Sequence, residues 1–222
     1  WAINDGGNPA RLHALGRRGA IHARFEVKGA RNIDWEDMAS FTLDGKHYLL
    51  VADTGDNGGR RKDFLLHVFE EPETLTDGTL EPAWTIRARW PDGPRDCEAV
   101  AVDPAAGQVL LVSKKRNPPD LFTLTLADPK GRVREARRIG RLAGVPEASA
   151  EIRRNDPAIA KLFPQVTAAD LSPDRSTLAV LTYGSFVSEC GPCPAIEKAF
   201  EAECGCDLRF TPAGDGAALL AR

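Results

Sequence analysis

Between Asp34 and Asp53 the chain alternates polar and apolar positions through "MASFTL", breaks at "DGK", and resumes with the apolar run "YLLVA". A period of two broken by turn residues predicts a β-hairpin. The pattern recurs. "DWEDMASFTLDGKHYLLVAD" (34–53) aligns with "DCEAVAVDPAAGQVLLVSKK" (96–115), with "AADLSPDRSTLAVLTY" (168–183) and, more weakly, with "CDLRFTPAGDGAALLAR" (206–222). Each copy has an acid near its start, a short apolar strand, a turn of Asp, Pro or Gly, and a second apolar strand. "FLLHVFEEP" and "AWTIRARWPDG" supply further strands, and "WAIND" with "LHALGRRGAIHARFEV" reads as the later strands of one more copy. Repeated four-stranded units are the mark of a β-propeller, here of about five to six blades. The expected division is a partial first blade at 1–33, blades with insertions at 34–95, 96–166 and 167–205, and a partial last blade at 206–222. Either the ends complete one shared blade or a larger propeller has been cut. A two-sheet sandwich is the alternative, though it has no need of the same acid-led hairpin four times.

Two segments break the strand pattern. "NDPAIAKLFPQ" has Asp156 as N-cap and Pro157 at the first helical position. "CPAIEKAFEAE" repeats the arrangement with Pro194 leading and Ile196, Ala199, Phe200 and Glu203 at helical spacing. Both precede an inner strand, so both are expected on one face, as a lid or as packed insertions.

Composition narrows the picture by exclusion. Sixteen prolines and twenty glycines suit a turn-rich β chain. A net charge of -3, with basic residues scattered in short runs, leaves no electrostatic footprint for nucleic acid. No apolar stretch is long enough to span a membrane. Residue 1 is Trp, so a processed or trimmed chain is expected. Four of five cysteines fall within Cys190–Cys206, spaced C-x2-C-x10-C-x-C. Two disulfides among Cys190, Cys193, Cys204 and Cys206 in an exported protein are the preferred reading. A four-thiolate zinc site and a redox-active C-G-P-C pair are the alternatives. Cys97 reads as a buried free thiol.

"WAINDGGNPARLHAL", "NIDWEDMA", "VADTGDNGGRR" and "VTAADLSPD" resemble a group of bacterial, mostly exported and largely uncharacterised β-propeller proteins. In that group an N-D-G/S-G loop, a D-W-E-D-(I/M)-A strand and a D-x-G-D-N loop recur. More distantly they are similar to SdiA-regulated and NHL-type propellers and to calcium-dependent lactonase and phosphotriesterase propellers. The resemblance covers most of residues 1–185 and fades in the cysteine-rich segment. It implies a fold; it carries almost nothing about a reaction, because propellers host many functions.

In a propeller blade the inner strand begins on the face where the second strand ends. The acids at both ends of "IDWEDMASFTLDGKHYLLVADTGDN" therefore converge on one channel mouth, joined by Asn4 and Asp5, Asp96 and Glu98, and Asp170. Facing carboxylates repel unless a cation lies between them, and hard oxygen donors in that number suit calcium. The expected metal ligands are Glu36, Glu98, Asp53, Asp170 and Asn4. Asp53 and Asp56 have a local alternative as turn caps, favoured for Asp56 and Asn57, and Asp56→Asn is then expected to be harmless. Trp35 is expected in the core. No G-x-S-x-G elbow, H-E-x-x-H helix or P-loop appears. Of four isolated histidines, His13 is the candidate base. A metal-dependent hydrolase of lactones or phosphoesters and a non-enzymatic scaffold binding a small molecule or a protein at this mouth are the two functional readings. A scaffold would have its acids neutralised, and Lys114, Lys115 and Arg116 are placed to do it.

Overall fold

A computed structural model describes residues 1–183, apart from 144 and 146. The repeat at 206–222, the second expected helix and Cys190, Cys193, Cys204 and Cys206 lie outside the described residues. The described residues are mostly β, in four sheets with two short helices, so a two-sheet sandwich does not describe them.

β1 (Ala2–Ile3), β2 (Arg11–Leu15) and β3 (Ile21–Val27) form the first antiparallel meander. β4 (Trp35–Leu43), β5 (Lys46–Asp53) and β6 (Phe64–Glu70) open the second, followed by the short β7 (Gly78–Leu80) and then β8 (Trp84–Arg89), which pairs back on β6. β9 (Cys97–Asp103), β10 (Gln108–Ser113) and β11 (Asp120–Thr125) repeat that course, with β12 (Arg134–Glu135) and then β13 (Arg137–Arg141). β14 (Val166–Leu171) and β15 (Leu178–Thr182) form the last hairpin. The turn between β4 and β5 is Asp44-Gly45, both at positive φ (51° and 77°), the backbone a two-residue type I′ hairpin requires.

The two short strands belong to neighbours. β7 pairs in parallel with β3, and β12 in parallel with β8. Each meander thus sends the segment before its last strand to close the outer edge of the preceding sheet, which hides a row of unpaired backbone groups. By this order β1, β2 and β3 match β5, β6 and β8, so the first sheet contains no counterpart of β4 among the described residues.

The core lies between sheets in series. Side chains of β5 alternate, as strand geometry dictates. Leu49 and Val51 join Leu12, Phe25, Trp35 and Phe69 against the first sheet. Leu50 and Ala52 join Phe64, Leu66, Val100, Leu111 and Phe122 against the third. Ala99, Val112 and Val166 form a smaller cluster between the third sheet and the last hairpin. Trp35 is fully buried, as expected. β4 packs beside β9, and both pack against β14.

Asp37 ties these three strands together. Its carboxylate accepts from Val100 N at 2.8 Å and from Ala169 N at 3.4 Å, while Met38 N donates to its other oxygen. Burial pushes its carboxyl up to about 6, against the pull of those three N–H donors. Asp37→Ala would leave the Val100 and Ala169 N–H groups without an acceptor. It is expected to cost about 1–3 kcal/mol, measured as a lower urea midpoint with an unchanged slope.

Of the helices, α2 (Pro157–Leu162) has the expected start, with Asp156 Oδ1 accepting from Ile159 N at 3.0 Å and Pro157 next. α1 (Ala150–Asn155), capped by Ser149, precedes it.

Candidate functional site

The beginnings of β4 and β9 share a backbone irregularity that the amino-acid pattern alone conceals. Trp35 pairs with Asp53 and Asp37 with Ala52, so Glu36 is an extra residue on its strand. Cys97 pairs with Ser113 and Ala99 with Val112, so Glu98 is extra in the same way. A β-bulge of this kind re-aims the side chain of the residue it inserts. β14 has the same shift between Val166 and Ala168, and there the extra residue is Thr167. Its Oγ1 is buried with no hydrogen-bond partner. The repeat register therefore makes Glu36, Glu98 and Thr167 equivalent, and Asp170 falls farther along its strand. This corrects the alignment of Asp170 with Asp34 and Asp96.

Two groups of acids have carboxylate oxygens within 4.8 Å of one another: Asp5, Asp34 and Glu36, and Glu36, Asp96 and Glu98. Glu36 belongs to both. The loop after β5 closes over them. Gly55 N donates to Asp34 O at 3.0 Å, and a Cβ at Gly55 would collide with the carboxylates of Glu36 and Asp34. A Cβ at Gly6 would collide with that of Asp34. Neither glycine has the positive φ that usually selects it, so what a side chain there would disturb is the placing of these carboxylates.

The two sides of the site differ in how their charge is balanced. Glu98 is ion-paired with Lys114. Asp96 is buried; its Oδ1 accepts from Asp56 N at 2.8 Å, and its Oδ2 lies 2.9 Å from Lys115 Nζ. That last contact is an ion pair by distance but lacks hydrogen-bond alignment, leaving Oδ2 without a donor. Lys115 is meanwhile hydrogen-bonded to Asn57 Oδ1 at 2.8 Å. By contrast, the carboxylates of Asp34 and Glu36 have no hydrogen bond or ion pair among the described residues. Burial, then the charge of Asp5, raises the Asp34 carboxyl. Burial pushes Glu36 up to about 8, with Asp5 and Asp34 adding to the rise and Lys114 opposing it.

The other expected ligands lie elsewhere or are occupied. Asp53 is fully buried, pairs with Arg61 at 2.8 Å and accepts from Asp34 N at 3.0 Å, so it fixes the strand entry. The backbone carbonyl of Asn4 is occupied by Asn32 Nδ2, which donates to it at 3.1 Å. Asp170 is exposed and accepts from its neighbour Leu171 N. His13 sits on β2 between Arg11 and Arg24; burial and those two charges lower its pKa. It joins neither group of acids. Cys97 is a buried free thiol donating to Val112 O, and burial pushes it up to about 12. Asp5, Asp34 and Asp96 are the site members that the expected ligand set left out.

Asp56 is a turn cap, as its sequence position suggested, but a demanding one. Oδ1 accepts from Arg60 N at 2.8 Å and Oδ2 from Arg61 N at 2.9 Å. Asn offers only one acceptor, so Asp56→Asn turns an NH2 toward a backbone N–H. The variant is expected to lose about 1–3 kcal/mol in denaturant unfolding rather than to be harmless.

No family model matches the chain. Part of it is similar to thiamine-binding periplasmic proteins. It is 44% identical over 61 residues to the one from Brucella suis biovar 1, covering 28% of this chain and 18% of that protein. It is 48% identical over 48 residues to the one from Salmonella typhimurium, covering 22% and 15%. The matches span less than a fifth of those relatives. They are also too short to include both Asp34 and Glu98, so none contains the whole acidic site.

Proposed function

We propose that this chain forms consecutive blades of a β-propeller whose acidic mouth binds a divalent cation, calcium by the chemistry of its donors. The carrying observation is the repeated bulge, which delivers Glu36 and Glu98 from neighbouring inner strands to one point. The donors are hard oxygens, the carboxylates of Glu36 and Asp34 have no partner among the described residues, and Gly6 and Gly55 place no side chain against them, all of which fit such an ion. The blade reading is supported by four sheets stacked in series, inner strands side by side, and edges closed by the next unit. An exported, periplasmic location agrees with the partial relatives, which are periplasmic proteins. Among the described residues no helix is long and apolar enough to cross a membrane. Those relatives share too little of the chain to lend it their ligand.

Lys114 and Lys115 on one half of the site favour a binding scaffold, whose partner is a small molecule or a protein on this face. The hydrolase reading keeps one foothold: an unpaired Glu36, poised near neutral pH, is a suitable base beside a Lewis-acidic ion. Calorimetric titration with calcium tests the common premise. Wild type is expected to bind one ion, Glu36→Gln to bind at least about tenfold more weakly, and Lys114→Met more tightly, because it frees Glu98 of a competing cation. No calcium heat in wild type or in Lys114→Met would remove the cation from the proposal. Lactone or phosphoester turnover lost in Glu36→Gln would decide for the enzyme.

A further inference from the structure

Beside the acids, and sharing Asp96 with them, lies a cavity of about 380 Å³ walled by the loop Asp56–Gly59 and by Arg95, Lys115 and Arg116. Its acids are already committed: Asp56 to the backbone of Arg60 and Arg61, Asp96 to Asp56 N and Lys115. Its cations are less so. Arg116 is exposed and makes no hydrogen bond or ion pair among the described residues, although its charge reaches Asp92. Lys115 is 43% exposed beyond its contacts with Asp96 and Asn57.

Arg95 is the fixed element. Its side chain is only 3% exposed, and its guanidinium lies 4.5 Å from the Phe122 ring centroid and 5.4 Å from that of Trp90. It pairs with Asp92 and with Asp120. It nevertheless forms part of the cavity wall. A fixed cation in the wall of a cavity, beside two more on its rim, favours an anionic oxygen as the occupant. Because aromatic packing already holds the guanidinium, little ordering cost remains when a ligand arrives.

We propose that this cavity is a binding site for a small oxyanion, a phosphate or a carboxylate, held by Arg95, Lys115 and Arg116. It is separate from the cation site, although Asp96 borders both. The oxyanion stands either alone or as the charged end of a larger molecule.

The test is calorimetric titration with inorganic phosphate, and in parallel with acetate, in chelator and at constant ionic strength. Wild type is expected to bind at least one of them saturably, at one site. Arg116→Ala removes one charge-assisted contact and is expected to weaken binding about tenfold. Lys62→Ala, an exposed cation outside the cavity, should leave it unchanged. Because chelator keeps divalent cations out of the acids, saturable binding under these conditions separates this site from the cation proposal. Phosphate preference assigns a phosphoryl ligand, and equal or better acetate binding a carboxylate. No saturable heat with either ion overturns the proposal. Equal weakening in Arg116→Ala and Lys62→Ala overturns it too, because it reduces the effect to general charge.

Discussion

Arg95→Met is expected to be the most destabilising single substitution considered, costing about 3–5 kcal/mol, because it removes one member of a buried ion pair. Asp120, itself buried, receives Arg95 Nη1 at 3.0 Å and Arg141 Nε at 3.1 Å. Arg141 and, at 3.7 Å, Arg138 are exposed, so without Arg95 the carboxylate depends on solvent-screened partners, which hold it weakly. The loss also strips the ring faces of Phe122 and Trp90, whose contacts with the guanidinium link β11 to the entry of β9. Methionine refills much of the volume, so a cavity contributes little to the loss. Urea unfolding should show a large fall in midpoint with an unchanged slope. Arg95→Met combined with Asp120→Asn should lose clearly less than the sum of the two single losses, because the second change removes the charge that the first leaves exposed to apolar surroundings. Strict additivity would mean that the pair is not coupled, and that Arg95 acts through its ring contacts alone.

The same region shows how far the sequence could be read. The hairpins at 34–53 and 96–115 were legible because strand period and turn residues agree along both. Lys114 and Lys115 were legible as neutralisers because they end the matching strand of the next unit. The bulges were not, since an alternation of polar and apolar residues does not reveal which residue of "DWED" or "DCEA" lacks a cross-strand partner. What did survive was the shared offset of Glu36 and Glu98 from the acid before each. The third copy broke that signal. Its bulge residue is Thr167, a neutral hydroxyl, and the alignment settled on Asp170 as the nearest acid. β7 and β12 escaped because strands of only two or three residues carry no period. Their pairing is decided by the neighbouring sheet's open edge. Asp56 was read as a turn residue from its type, but the use of both its oxygens depends on where the backbone of Arg60 and Arg61 turns back.

Glu36 should make the stability of the cation-free protein fall as pH rises from about 5 to about 8. Its folded-state carboxyl is raised to about 8 from an ordinary value of 4.5, first by burial and then by Asp5 and Asp34. Between those two values the folded chain holds a proton that the unfolded chain has released. The stability tied to that proton is complete below the lower value and is lost as pH climbs through the upper. Asp34 and Asp37 are raised as well and push in the same direction, Asp37 only up to about 6. Glu36→Gln keeps the shape and removes the titration. In chelator it should therefore melt above wild type near pH 8, with the gap closing near pH 5. Calcium reverses the order. An ion displaces the Glu36 proton, so its stabilisation of wild type should grow with pH across the window. At a concentration a hundredfold above the dissociation constant it amounts to about 2.7 kcal/mol, most of which Glu36→Gln should forgo. Melting curves in chelator and in calcium, taken at both ends of the window, separate these contributions. If wild type and Glu36→Gln melt in parallel from pH 5 to pH 8 in chelator, the carboxylate is not desolvated among like charges. If calcium then moves neither, the acids at the start of β4 and β9 serve the fold alone.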